Sequence, residues 1–483
     1  MDYLFLFLFT INTISGILLI PYPVNMFLLA LSSWNWKDPH IKEYYEEHEL
    51  PSVTIQLPVF NEPRIIHRTL SNLNKLIYPQ EKLHFQILDD STDETSSILD
   101  AEALSLKEQG FNVEVIRRIS REGYKAGALA NGLKLGTSEF VAILDADFQL
   151  NPHFLEQSIH HFKGNDRLGA IQTRWTHSNV NYSLFTRSMA IGLDNHFLVE
   201  KPGRKKRHAF ITFNGTGGIW RRSVIEESGG WSSTTLAEDL DLAYRAQMKG
   251  YEIIYLCNVT NSQEIPPTLR CWIIQQSRWS KGFSQNIRKN FNSFWRNSRG
   301  KSRIQGTLHQ TQYLVPLLIL IVTITSTFML FFPEYDSNLM VIFGILYSIA
   351  ATLGIIAYMI SVIRTKRPIK DILLIPFFLF WGAGLIVRMG LGTLNGFFRK
   401  SGEFKRTPKF NLSNEKKGIT TREKIPLDRV FLAELAYIVI IGLGLLKGME
   451  LGGLFLSQVV FNLFLLLSLI NLAFSEILHA FVR

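Results

Sequence analysis

Carboxylates recur at the ends of apolar runs in the middle of this chain. Asp89 and Asp90 stand in LDDST, Asp145 and Asp147 in LDADF, and Glu238 and Asp239 in AEDLD; Gln275, Arg278 and Trp279 follow in QQSRW. Two carboxylates leaving a buried strand one residue apart emerge together at a sheet edge, where both can serve one nucleotide and its metal. Hard oxygen ligands that leave positions open for phosphate suit Mg2+ or Mn2+. A lone D-x-D could equally be an acidic turn capping the next helix. Asp90 and Lys125 argue against that here, because they add an acceptor for base recognition and a positive partner for carboxylates or phosphates. Glu238 and Asp239 open a helical run after the Gly229-Gly230-Trp231 turn. A carboxylate there could be a simple N-cap, or a base that takes the proton from a hydroxyl attacking an anomeric carbon.

Gln275, Arg278 and Trp279 share one helical face, where an indole can hold a sugar while the guanidinium meets a diphosphate; a packed interface helix would show the same spacing. Asn214, Gly215, Thr216, Gly217 and Gly218 offer backbone with little side chain, useful where an acceptor must lie close, although a plain loop would look alike. The basic run Lys201, Arg204, Lys205, Lys206 and Arg207 reads as a solvated loop. His177 and His196 read as structural.

The elements that must position these groups alternate. Short β-rich runs occupy Val53–Val59, Phe85–Asp89, Val113–Ile116 and Phe140–Leu144, and helical patterns separate them over Arg64–Leu76, Glu94–Lys107 and Tyr124–Leu135. Such alternation predicts an α/β fold with a parallel sheet covered on both faces. Ligands then sit beyond the carboxyl ends of the strands, which is where Asn61–Glu62, Asp89–Asp90 and Asp145–Asp147 fall; Pro58 and Glu62 are expected at the donor nucleotide. No G-x-G-x-x-G follows the first strand and no G-x-x-x-x-G-K-[ST] occurs, so dinucleotide hydride chemistry and P-loop ATP hydrolysis lose support.

Composition places this α/β segment between membrane segments. The 483 residues are 47% hydrophobic, and the apolar ones are segregated: Tyr3 to Ala30 is almost uncharged, and the pattern returns from Tyr313 to Phe481. Predicted spans cover Tyr3–Ala30, Tyr313–Phe332, Leu339–Ile363, Val430–Leu446 and Leu454–Phe474. The first lacks a basic start and an A-x-A-like site, so it reads as an anchor rather than a cleaved signal. Two cysteines, Cys257 and Cys271, are too few for a disulfide framework or a cysteine metal site and suit a reducing cytosolic face. The net charge of +10 gathers at the ends of membrane segments, as in Arg296–Arg303 and Arg364–Lys370, so the expected partner is the lipid surface and not nucleic acid. The acidic PEYDSN loop belongs outside and the basic RTKRPIKD loop inside, which sets the N-terminus outside and the C-terminus inside. Ile372–Phe398 is apolar enough to span, yet many basic residues follow it. Read as an interfacial or re-entrant pair of helices broken by Pro376, Gly382 and Gly384, it keeps those residues in the cytosol; a plain sixth span is the alternative. The expected organisation is an anchor over 1–33, a cytosolic domain with interface helices over 34–310, and a membrane region over 311–483.

The strings QLPVFNE, QILDDSTDET, GYKAGALANG, AILDADF, FNGTGGIWR, GGWSSTTLAEDLDLAYRA and QQSRWSKG cover Ser52 to Lys281. With them the chain resembles membrane-integrated family 2 glycosyltransferases of the cellulose-synthase-like superfamily, in particular the mannan and glucomannan synthases and their bacterial relatives. The resemblance implies a GT-A-type, Rossmann-like catalytic domain that is metal-dependent and inverting. It would move a hexose from a nucleoside diphosphate sugar, GDP-mannose or UDP-glucose, to a growing β-linked polysaccharide. It assigns Asp90 to the nucleobase, Asp145 to nucleotide or ribose, Asp147 to Mg2+ or Mn2+, Lys125 to the donor phosphates and Asp239 to the general base. Gln275, Arg278 and Trp279 go to the diphosphate and acceptor end, with Asn214, Gly215 and Thr216 beside them. Ala237 stands where the family usually has threonine. Phe404, Thr407 and Lys409 are similar to the F-x-V-T-x-K gating loop of cellulose synthases, within 399–428, with Arg406 replacing valine. A glycolipid synthase acting once on ceramide, diacylglycerol or polyprenyl phosphate is the rival, since Q-x-x-R-W occurs in ceramide glucosyltransferases as well. The expected location is a multi-pass position in a bacterial inner membrane, or the Golgi membrane in a eukaryote; whether an export partner exists is not legible in the sequence.

Overall fold

The computed structural model describes residues 3–332, 337–399, 405–412, 427–452 and 456–481. Among them, seven strands form one mixed sheet: β1 (Val53–Val59), β2 (Leu83–Asp89), β3 (Asn112–Arg117), β4 (Phe140–Ile143), β5 (Leu168–His177), β6 (Gly218–Arg221) and β7 (Glu252–Gln263), in the order β3-β2-β1-β4-β6-β5-β7. β1, β2, β3 and β4 run parallel, each joined to the next by a crossover containing a helix, and these helices are Ile66–Leu73, Thr95–Glu108 and Tyr124–Leu135. β4 and most of β1 and β2 are buried residue by residue, as in a sheet clothed on both faces. The expected parallel order fails at one strand: β6 is antiparallel to both β4 and β5. Its four residues follow a connection from β5 that contains the helices Leu184–Asn195 and Lys201–Lys206 and ends in the glycine-rich loop at 214–217.

The basic run expected to be a solvated loop is ordered helix. Lys201–Lys206 packs on the second half of the N-terminal helical segment, with Lys201 1% and Arg204 2% exposed. Lys201 Nζ donates to the Thr212 carbonyl at 2.5 Å and its hydroxyl at 3.0 Å, and Arg204 donates to the carbonyls of Phe210 and Gln305. Burying two cations is tolerated because each finds carbonyl acceptors.

Four described helices are long and apolar enough to cross a membrane, and six spans result if each of two bent pairs counts as one. The N-terminal segment breaks between Tyr3–Leu19 and Pro21–Ser33, where Pro21 cannot donate into the preceding turn. The predicted span at 313–332 is the helix Leu314–Met329, bent 65° from Gly300–Gln310. The segment 372–398 is a pair of helices bent 52° at Leu385, directly after Gly384. Its second half carries Arg388, whose guanidinium meets Asp428 at 2.9 Å, Glu476 at 2.8 Å and Glu434 at 3.2 Å. Arg270 also pairs with Glu476. The long helix Leu269–Asn297, which carries Gln275, Arg278 and Trp279, is thereby tied to the last two apolar helices.

Candidate active site

Asp145 and Asp147 leave the carboxyl end of β4, beside the loop that precedes β6. The Asp145 backbone N–H donates to Thr216 Oγ1 at 2.9 Å, which fixes the 214–216 loop against the carboxylate pair. Lys125, in the first turn of Tyr124–Leu135, reaches across to Asp145 Oδ1 at 2.5 Å and the Gly215 carbonyl at 2.9 Å, with Glu238 at 3.8 Å. Burial alone would lower the Lys125 pKa; the carboxylates of Asp145 and Glu238 outweigh it and raise it. Asp239 opens the helix Glu238–Met248 and accepts the Leu240 N–H at 2.8 Å. Burial and the adjacent Glu238 push Asp239 up to about 7, against the pull of Lys125. Gly215 has φ +77°, and a Cβ there would lie 3.0 Å from Asp239 Oδ2. Only glycine lets the loop touch this carboxylate so closely.

Asp90 lies at the end of β2, held by the Arg118 guanidinium, whose Nε is 2.9 Å away. Arg121 stacks 3.3 Å over the Phe60 ring alongside, with Pro58 in the same wall. Gln275, Arg278 and Trp279 line the opposite wall on Leu269–Asn297. The Arg278 guanidinium, its pKa lowered by burial, sits in the field of Glu238, Asp145, Asp239 and Asp147.

The described part of the gating-loop-like segment, 405–412, is seated in this site. Lys409 Nζ lies 2.6 Å from Asp147 Oδ2 and 2.8 Å from the Glu264 carbonyl, and Arg406 pairs with Glu62. The Glu264 carboxylate accepts the N–H groups of Phe410 and Leu412 at 2.9 and 3.1 Å. Burial pushes Glu62 up to about 7 in spite of Arg406. Thr407 is buried on the cavity wall, its hydroxyl without a hydrogen-bond partner among the described residues. Phe404 lies outside the described residues.

These groups share one cavity of ≈ 1120 Å³. It runs from Asp90 past Asp145, Asp147, Asp239 and Trp279 to polar side chains of the apolar helices, among them Asn12, Thr323, Ser326, Ser348 and Asn462. Asn462 is 2% exposed and its amide nitrogen has no hydrogen-bond partner among the described residues. Asp145 and Asp147 offer hard oxygens on the wall of this cavity, with the Lys409 cation already seated on Asp147, so the donor set fits a divalent ion that completes its shell from phosphate and water. Among the described residues no three His, Cys, Asp or Glu side chains stand close enough together to hold a metal ion by themselves.

The structure brings together every described residue assigned from sequence. It adds four that were not: Arg118 on Asp90, Arg121 on Phe60, Glu264 on the 405–412 segment, and His196, read from sequence as merely structural, on the cavity wall. Glu264 could have been suspected as a carboxylate directly after an apolar strand. His196 and Arg118 carried no such signal.

Residues 140–363 match the family model described as "Glycosyl transferase family group 2". Over 253 residues, 52% of this chain and 46% of the relative, the chain is 38% identical to the probable glucomannan 4-beta-mannosyltransferase 10 of Arabidopsis thaliana. It is 40% identical over 253 residues, 52% of this chain and 49% of the relative, to glucomannan 4-beta-mannosyltransferase 1 of Oryza sativa subsp. japonica. The chain thus spans about half the length of the curated relatives it matches. Among solved structures it is similar in fold to the mannosyltransferase PcManGT from Pyrobaculum calidifontis in complex with GDP-Man and Mn2+, with a TM-score of 0.55 and 18% identity, covering 80% of this chain and 99% of that one.

Proposed function

We propose that this chain, whose residues 140–363 match a family 2 glycosyltransferase model, transfers mannose from GDP-mannose to the end of a β-linked mannan or glucomannan, and that the product leaves between its membrane helices. The observation that carries this reading is the single cavity that joins the carboxylate cluster to polar side chains of helices able to cross a membrane. The names of the two relatives above, one glucomannan 4-beta-mannosyltransferase and one probable one, support mannose as the sugar. PcManGT, which holds GDP-Man and Mn2+ on a similar fold, supports guanine and a divalent metal.

In this reading Asp90 and the Phe60–Arg121 wall receive the base, and Asp145 and Lys125 hold the ribose and phosphates. Asp147 and Asp145 would hold Mg2+ or Mn2+, which when bound neutralises the departing diphosphate. Arg278 adds fixed positive charge at the same place. Trp279 offers a flat apolar face to the acceptor sugar. Asp239 removes the proton from the attacking hydroxyl, and the new bond to the anomeric carbon forms opposite the breaking one, so an α-linked donor gives a β-product. Segment 405–412 would leave Asp147 and Glu62 as metal and donor enter, and could then close over them.

The test is diphosphate release by the purified chain in lipid with Mn2+ or Mg2+, across GDP- and UDP-hexoses, with the product sized and digested by linkage-specific glycanases. A long, mannanase-sensitive glycan made from GDP-mannose is expected. A single-sugar product made only on added lipid would move the chain to the glycolipid reading.

A further inference from the structure

His196 and Glu200 occupy one turn of π-helix, His196–Glu200, on the wall of the cavity that also holds the base Asp239. Such turns interrupt a helix at some cost and are common at functional sites. Here the turn is continuous with Leu184–Asn195 before it and Lys201–Lys206 after it, and it aims both side chains into the cavity. His196 Nδ1 lies 2.7 Å from Glu200 Oε2. On the far side of the ring, Nε2 lies 3.1 Å from Asn214 Nδ2 and 3.5 Å from Asn214 Oδ1. Asn214 is further anchored through its backbone N–H, which donates to Gln172 Oε1 at 2.7 Å. The next residue is Gly215, in contact with Asp239.

The hydrogen-bond order follows from chemistry. The buried Arg204 guanidinium favours the charged form of the Glu200 carboxyl. An ionised carboxylate only accepts, so the proton on that side of the imidazole sits on Nδ1. The Asn214 amide nitrogen, the nearer of its two amide atoms, can only donate, so Nε2 meets it as the accepting lone pair and the ring carries its one proton on Nδ1. The Asn214 carbonyl oxygen is left as an acceptor, its other neighbour being Thr212 Oγ1 at a long 3.5 Å.

We propose that Glu200 and His196 are positioning residues that fix the polarity of the Asn214 amide, so that its carbonyl oxygen accepts a hydrogen bond from a hydroxyl of the acceptor's terminal sugar. This rests on the glycosyl-transfer reading above. The attacking hydroxyl gives its proton to Asp239 and cannot also donate to Asn214. Asn214 therefore engages a neighbouring hydroxyl, and that contact selects which hydroxyl faces the base. The residue pair thus sets acceptor affinity and linkage position, while donor binding depends on groups at the other end of the cavity.

The experiment uses the full chain in lipid with GDP-mannose, Mn2+ and β-1,4-mannotetraose as acceptor, comparing His196→Leu, His196→Gln and Asn214→Asp with the unaltered chain. A thermal shift on adding GDP-mannose verifies that each variant folds and binds donor. His196→Leu should raise the acceptor KM about tenfold, the value of one well-placed hydrogen bond, with the donor KM unchanged within about twofold. His196→Gln, which can still accept from the amide nitrogen and donate to Glu200, should recover most of the affinity. Asn214→Asp, which keeps an acceptor oxygen whatever its neighbour does, should lose less than His196→Leu. A folded His196→Leu with an unaltered acceptor KM, or with donor and acceptor KM raised equally, overturns the inference. Failure of the unaltered chain to transfer to any oligosaccharide is a different result: it overturns the functional reading and this inference with it.

Discussion

Asp239 illustrates how a side chain's role follows from its surroundings. At the start of a helix, with Lys125 and Arg278 near, a carboxylate would ordinarily be more acidic than usual. Burial and the neighbouring Glu238 win instead and push it up to about 7. A base must be deprotonated to act, so transfer should rise as pH increases through about 7 and fall below it; the pH profile of kcat/KM for the acceptor checks this. Asp239→Asn should lower transfer by roughly 10²–10⁴-fold while leaving GDP-mannose affinity nearly unchanged, measured by turnover and by donor titration. Equal loss of donor binding would show that Asp239 holds the donor instead. The carboxylates at these positions were legible in the sequence because each follows an apolar strand or opens a helical run. The state of Asp239 was not legible, because it depends on Lys125 from 114 residues upstream, at distances only the folded chain sets.

At the scale of elements, the 405–412 segment is the informative piece. Two of its cations, Arg406 and Lys409, neutralise Glu62 and Asp147, which would otherwise be buried carboxylates without counter-charge. A divalent ion binding at Asp147 must displace Lys409. Lys409→Ala should therefore tighten Mn2+ binding to the donor-free protein, since the competing cation is gone, while slowing transfer if closure over the donor uses the same side chain. Electron paramagnetic resonance of free Mn2+ in a titration measures the first effect; weaker Mn2+ binding in the variant would contradict the competition. The resemblance of this segment to a gating loop rested on three residues, and Arg406 in place of valine was its main departure. The structure gives that departure a reason, because Arg406 is the partner of Glu62.

For the whole molecule, the arrangement turns on segment 372–398. Its two halves bend by 52°, and Arg388 in the second half is enclosed by Asp428, Glu434 and Glu476. If the pair is re-entrant, Lys405 lies on the same side of the membrane as the catalytic domain, consistent with the seating of 405–412 among its carboxylates. Single cysteines at Lys405 and at Glu94 should then react with an impermeant maleimide from the same face of sealed vesicles. Cys257 and Cys271 are both buried and contribute little background. Labelling of the two sites from opposite faces would make the pair a complete span.

Local pattern alone determined the strand–helix alternation up to β4, the carboxylates at the strand ends and the apolar segments, because periodicity and chain polarity are properties of neighbouring residues. Tertiary structure decided the rest. β6 runs antiparallel to β4 and β5 because a long helical connection after β5 brings it back between them. Lys201 and Arg204, which looked like solvated charge, are buried because carbonyls from elsewhere in the chain satisfy them. His196 is set against Asn214 by a helix and a loop that sequence places 18 residues apart. Each of these depends on contacts between distant segments, and a hydrogen bond between such segments leaves no mark on the local pattern of either.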